Sequence, residues 1–154
     1  AGALASLRRA LEESPEWRFR PGLLAACVEA GIAAGELGVA RGAAEELVGI
    51  AAAEDVPYLR ALAGRAIGSV KLAEGDARGA LTELRGAERI WRELEAPYDA
   101  ARTRVLVGRA CGLLGDGAEA EMSFAGAATV FEQVGAGREL AQVRPAETRG
   151  PALA

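Results

Sequence analysis

Apolar residues recur along the chain at alternating intervals of four and three, the period of a helix that buries one face. The clearest stripe is Ala120, Phe124, Ala127, Phe131 and Val134, and its twin, Ala80, Leu84, Ala87, Trp91 and Leu94, stands 40 residues earlier in the same register. A weaker stripe holds Ala40, Ala44, Leu47, Ile50 and Ala51, and Leu4, Leu7 and Leu11 match part of it at the N-terminus. Ahead of the two clear stripes stand "PYLRALAGRAIGSVKLAEGD" (57–76) and "PYDAARTRVLVGRACGLLGD" (97–116). These align without a gap, placing Pro57 on Pro97, Tyr58 on Tyr98, Gly68 on Gly108, Gly75 on Gly115 and Asp76 on Asp116. Each unit therefore reads as two helices joined by a turn.

The boundary residues agree with that reading. Pro57 and Pro97 suit a first helical turn, where the missing N–H has no partner to lose. Gly75 and Gly115 tolerate the left-handed conformation just past a helix, and the Asp that follows each can accept from the free N–H groups opening the next helix. Gly35-Glu36 takes the same place in the weaker copy. The units are a partial repeat over 1–14, repeats over about 15–56, 57–96 and 97–136, and a stub over 137–143, with a flexible linker over 144–154. That makes seven helices ahead of the stub, and no strand. The first helix of the 15–56 unit has two candidate starts, Ser14-Pro15 with a kink at Pro21, or Pro21 itself; the Ser-Pro pair favours the first.

Composition narrows the chemistry. Of 154 residues 51% are hydrophobic but only 5% aromatic, so elements must meet through small side chains, which suits an all-α stack. The net charge of −4 gives little general attraction for nucleic acid, and no direct contact with it is expected. No apolar run is long enough for a membrane span, and no signal peptide opens the chain, which points to the cytoplasm. Cys27 and Cys111 are far apart in apolar stretches and read as small core residues. The chain has no His, which excludes Ser-His-Asp triads, Cys-His dyads and metalloprotease helices. No metal site, cofactor site or catalytic residue is expected. Glu12-Glu13 and Glu45-Glu46 read as solvated faces, Glu88 and Arg92 as an ion pair four residues apart, and Trp91 and Phe131 as core.

The pattern resembles tetratricopeptide repeats. The residues that carry the resemblance are Gly68, Gly75-Asp76, Ala80, Leu84 and Ala87, then Gly108, Gly115-Asp116, Ala120, Phe124 and Ala127. The unit departs from that family in being 40 residues rather than about 34, and in carrying Lys71 and Cys111 where an aromatic is usual. From Ile90 to Val143 the chain is similar to the helical-repeat region of large bacterial LuxR-type, maltose-regulator-like transcriptional regulators. That resemblance implies a right-handed superhelix of antiparallel helix pairs, a sensor or protein-interaction role without enzymatic activity, and a DNA-binding domain outside this chain. A structural spacer or oligomerisation arm is the alternative.

In such stacks the first helix of each pair lines the concave side. The resemblance implies an inward row of Leu62, Arg65 and Ser69 in one unit and Arg102, Val105 and Arg109 in the next. Arg65, Ser69, Arg102 and Arg109 are thus the candidate contacts for a protein segment or small anionic effector. The same arginines can instead pair with carboxylates of neighbouring helices. Leu4, Leu7 and Leu11 belong to a helix without its own first partner, so they are expected to form an exposed apolar edge through which the chain dimerises.

Overall fold

The computed structural model describes residues 2–13 and 18–144. Among these residues there are eight helices and no strand: α1 (Gly2–Glu13), α2 (Arg20–Ala34), α3 (Leu37–Glu54), α4 (Pro57–Ala73), α5 (Ala77–Glu93), α6 (Pro97–Leu113), α7 (Gly117–Gln133) and α8 (Gly137–Val143). The protein is all-α. Seven helices were expected ahead of a stub, and the stub itself closes one further short helix, α8. Each helix packs on the next in sequence, and α4 also touches both α2 and α6. The helices α2, α4 and α6 therefore stand in a row, backed by α3, α5 and α7.

The turns follow the expected chemistry. Gly35, Gly75 and Gly115 all take positive φ, and the N–H one residue later reaches back five residues, as from Asp76 to Lys71 and from Asp116 to Cys111, each at 2.9 Å. Asp76 and Asp116 then cap the following helices, accepting from the N–H of Gly79 at 2.9 Å and of Glu119 at 3.1 Å. Three further left-handed positions, Asp55, Glu95 and Gly135, end the second helices; only the last is a glycine.

Two expectations are corrected at helix ends. The helix α2 starts at Arg20 with Pro21 in its first turn, rather than at Ser14-Pro15 with a kink. Pro costs nothing where no N–H partner exists, whereas inside a helix it removes a bond and clashes, at about 3 kcal/mol. Residues 14–17, including Trp17, and the tail 145–154 lie outside the described residues. Leu94 and Val134, expected on the apolar stripes, are 41% and 48% exposed because α5 and α7 stop one residue earlier.

Elsewhere the stripes are the core. Ala40, Ala44, Leu47, Ala80, Leu84, Ala87, Trp91, Ala127 and Phe131 are all buried. Tyr58 meets Trp91 edge-on at 5.4 Å between ring centroids, and Tyr98 meets Phe131 at 6.1 Å, tying each first helix to its second. The Trp91 indole N–H has no acceptor among the described residues.

The leucines of α1 are a third correction. Leu4 is buried, and Leu7 and Leu11 lie half-buried against the same cluster of α2 and α3 side chains. α1 packs on α2, and that contact covers Leu4 and part of Leu7 and Leu11.

The mid-helix glycines of α4 and α6 mark close approaches. A Cβ on Gly108 would sit 2.9 Å from the Phe124 ring, and one on Gly68 would sit 2.7 Å from Leu84 Cγ. Gly108→Ala is expected to destabilise by about 1 to 3 kcal/mol through overpacking. At about 2 to 4 °C per kcal/mol for a chain of this size, thermal unfolding should register the loss. Gly42→Ala, with nothing within 4 Å of its new methyl, should instead raise Tm through helix propensity.

Candidate functional site

The row of α2, α4, α6 and α8 encloses a groove of about 700 Å³. Its walls are largely apolar, with Val28 and Ile32 of α2, Leu62 and Leu72 of α4, and Val105 and Leu106 of α6. All six residues of the implied inward row, Leu62, Arg65, Ser69, Arg102, Val105 and Arg109, line this one groove. The helical spacing that put them on one face also puts them side by side.

The three arginines are not equivalent. Arg65 is buried at 8% exposure, donates to Asp99 at 2.8 Å and lies over the Trp91 ring at 5.6 Å. Arg102 donates to Glu29 of α2 at 2.7 Å, reaching across α4, and stacks on Tyr98 at 5.8 Å. Arg109 is exposed and has no carboxylate within 4.0 Å among the described residues. Ser69 donates its hydroxyl to the Arg65 carbonyl at 2.8 Å, one turn back on its own helix. The pairing reading thus holds at Arg65 and Arg102, and Arg109 alone keeps an uncommitted charge. Glu29 and Glu139 also line the groove and offset much of its positive charge.

At the open end, Tyr98 donates to Glu139 at 2.8 Å and so ties α6 to α8. That bond pushes the Tyr98 hydroxyl up and holds the Glu139 carboxyl below the usual carboxylate range. The Cys27 and Cys111 thiols are buried, and desolvation pushes both up, which makes them poor nucleophiles. Among the described residues no group of His, Cys, Asp and Glu gathers with metal-binding geometry, and no helix is long and apolar enough to cross a membrane.

A second concavity escaped the sequence reading. It lies on the far side of the stack, where Arg85, Arg89 and Arg92 of α5 and Arg104 of α6 converge with Glu88 and Glu119. Glu88 was expected to pair with Arg92; it is buried and accepts instead from Arg104 at 2.8 Å. The sequence signal was the spacing of Arg85, Arg89 and Arg92 by four and three, which sets them on one face of α5. The contribution of Arg104 from another helix had no local signature.

The fold and grooves thus define a class, an all-α stack of helical hairpins with a concave apolar face. No family model, curated protein or solved structure matches the chain.

The unequal arginines have a measurable consequence. Arg65→Met removes a buried guanidinium from its place over Trp91 together with its bond to the partly exposed Asp99, and is expected to cost about 1 to 3 kcal/mol in urea unfolding. Arg109→Met should stay within about 0.5 kcal/mol.

The Tyr98–Glu139 bond gives α8 a pH window. Glu139 is depressed, so its contribution is present above the ordinary carboxylate range and lost as pH falls through its lowered value. Tyr98 is raised, so its contribution is present below about pH 10 and lost as pH rises beyond that. Backbone order of α8, read by NMR, should therefore fall toward acid and toward strong alkali, and Tyr98→Phe should remove the alkaline dependence and weaken the acid one, since the α8 backbone and the nearby Arg102 and Arg138 still favour the Glu139 carboxylate.

Proposed function

We propose that this chain is a non-enzymatic interaction module, a tetratricopeptide-like superhelix with a 40-residue unit. Its inner groove takes a protein segment or small effector with an apolar face and an anionic group. The observation that carries this reading is the groove itself: apolar walls drawn from α2, α4 and α6, with Arg109 as a cation that no carboxylate of the described chain neutralises. The fork of a guanidinium suits a carboxylate or phosphate, and an apolar site with a few placed polar groups is the usual form of a binding groove. Support for the 40-residue unit comes from the return of left-handed residues at 35, 75 and 115 and at 55, 95 and 135. The reach of Arg102 across α4 to Glu29 supports a curved row.

The similarity of residues 90–143 to LuxR-type regulators extends the reading to a sensor that passes a binding event to a DNA-binding domain. A phosphate-binding loop upstream and a helix-turn-helix downstream in the reading frame would bear this out. The second reading, a structural spacer or oligomerisation scaffold, draws on the internal pairing of Arg65 and Arg102.

Binding to a panel of acidic amphipathic peptides, followed by fluorescence anisotropy, separates the two. Arg109→Glu should weaken binding by about tenfold or more, as expected for a lost charge-assisted contact, with Tm unchanged. Filling the groove with Ala73→Trp, at an exposed position on its wall, should also reduce it. Equal binding by Arg109→Glu, or no affinity for any such peptide in a cooperatively folded chain, would favour the spacer.

A further inference from the structure

The cleft on the opposite side of the stack holds four arginines and two glutamates in a space of about 710 Å³. Arg85, Arg89 and Arg92 follow one another at intervals of four and three along α5, an arrangement of like charges that destabilises a helix by itself. Little in the chain relieves it. Arg104 is committed to Glu88 at 2.8 Å, whereas Glu119 stands 3.8 Å from Arg85, too far for a hydrogen bond. Arg89 and Arg92 are exposed and have no carboxylate within 4.0 Å among the described residues.

The setting of Arg104 is specific. Its guanidinium passes under α7 at Gly126, where a Cβ would come within 2.7 Å of Nη1. The glycine leaves the room that lets a side chain of α6 reach the cleft between α5 and α7. Its hydrogen bond to Glu88 orients the fork there.

We propose that this cleft is an anion site for a phosphate dianion, either free phosphate or the terminal group of a small phosphate ester. Four guanidinium charges against two carboxylates leave an excess of two, which a phosphoryl group of about −1.5 to −2 charge at pH 7 balances and a monocarboxylate does not. Arg89 and Arg92 supply the free forks, with three to four phosphoryl oxygens as acceptors. The cleft lies within the size range of small-molecule sites, so the rest of an ester has space beside Met122 and Thr82. This site is independent of the concave groove.

The test is titration of the chain with inorganic phosphate and with glycerol 3-phosphate at constant ionic strength, with sodium acetate and sodium chloride as controls. Binding is read by calorimetry and by the Arg side-chain Nε–H resonances. Phosphate and its ester should bind where acetate and chloride do not, and tighter binding of the ester identifies it as the better source. The double variant Arg89→Gln with Arg92→Gln should bind about tenfold or more weakly while keeping its helical circular dichroism. Gly126→Ala keeps every charge and displaces only Arg104. It should weaken binding several-fold while keeping its helical circular dichroism, and it decides the question alone if the double variant does not fold. Equal responses to acetate or chloride, or unchanged phosphate binding by both variants, would overturn the proposal.

Discussion

Close approach between helices through small residues is the constraint on which the rest of the structure depends. With few aromatics the chain cannot fill wide gaps, so alanines stand at the crossings and bring the backbones together. Two glycines then act as sockets: Gly68 receives Leu84, and Gly108 receives the Phe124 ring. Each large side chain of a second helix thus finds a gap in the first helix of its own pair. The large rings, Trp91 and Phe131, sit two steps further along the same stripes, edge-on to Tyr58 and Tyr98. They are the largest fully buried side chains among the described residues, and each meets its tyrosine in the edge-on geometry that aromatic pairs favour.

Charge plays a different part. Most ion pairs join one helix to another rather than residues of the same helix, as in Lys71–Glu83, Arg104–Glu88 and Arg65–Asp99. Exposed pairs of this kind contribute little to stability, since solvent and salt screen them. Two pairs differ: Glu88 is buried against Arg104, and Arg65 is buried, lies over Trp91 and answers a carboxylate of the next pair. Arg65 therefore belongs to the packing between consecutive pairs as much as to the groove wall that it helps to line.

Much of the fold was legible from residue spacing. The stripes, the turns at Gly75-Asp76 and Gly115-Asp116, and the socket glycines stand where local chemistry put them, because each rests on contacts within one helical pair. What was not legible depends on tertiary partners. Asp55 and Glu95 adopt left-handed conformations that their side chains do not advertise, and the start of α2 turned on a choice between two prolines. The alignment brought six residues to one groove, yet the difference between Arg109 and its neighbours Arg65 and Arg102 rests on Asp99 and Glu29. Of these, Glu29 lies 73 positions from its partner. The distant arginine cleft was half visible, as a row on α5, and half hidden, as Arg104 entering beneath Gly126.

The contact from Arg102 to Glu29 joins the two outer helices of the row across α4, and its side chains are 31% and 54% exposed. A pair so exposed is worth at most about 1 kcal/mol and weakens with salt, so it does not hold α2, α4 and α6 together. Their contacts with one another and with α3 and α5 do that, through buried groups that salt does not reach. The groove thus has a floor set by small-residue packing, bridged at one place by a weak ionic link. An occupant that competes for either charge would open the link at little cost while leaving the floor in place. Losing the link therefore leaves the packing of the helical pairs behind the groove as it is.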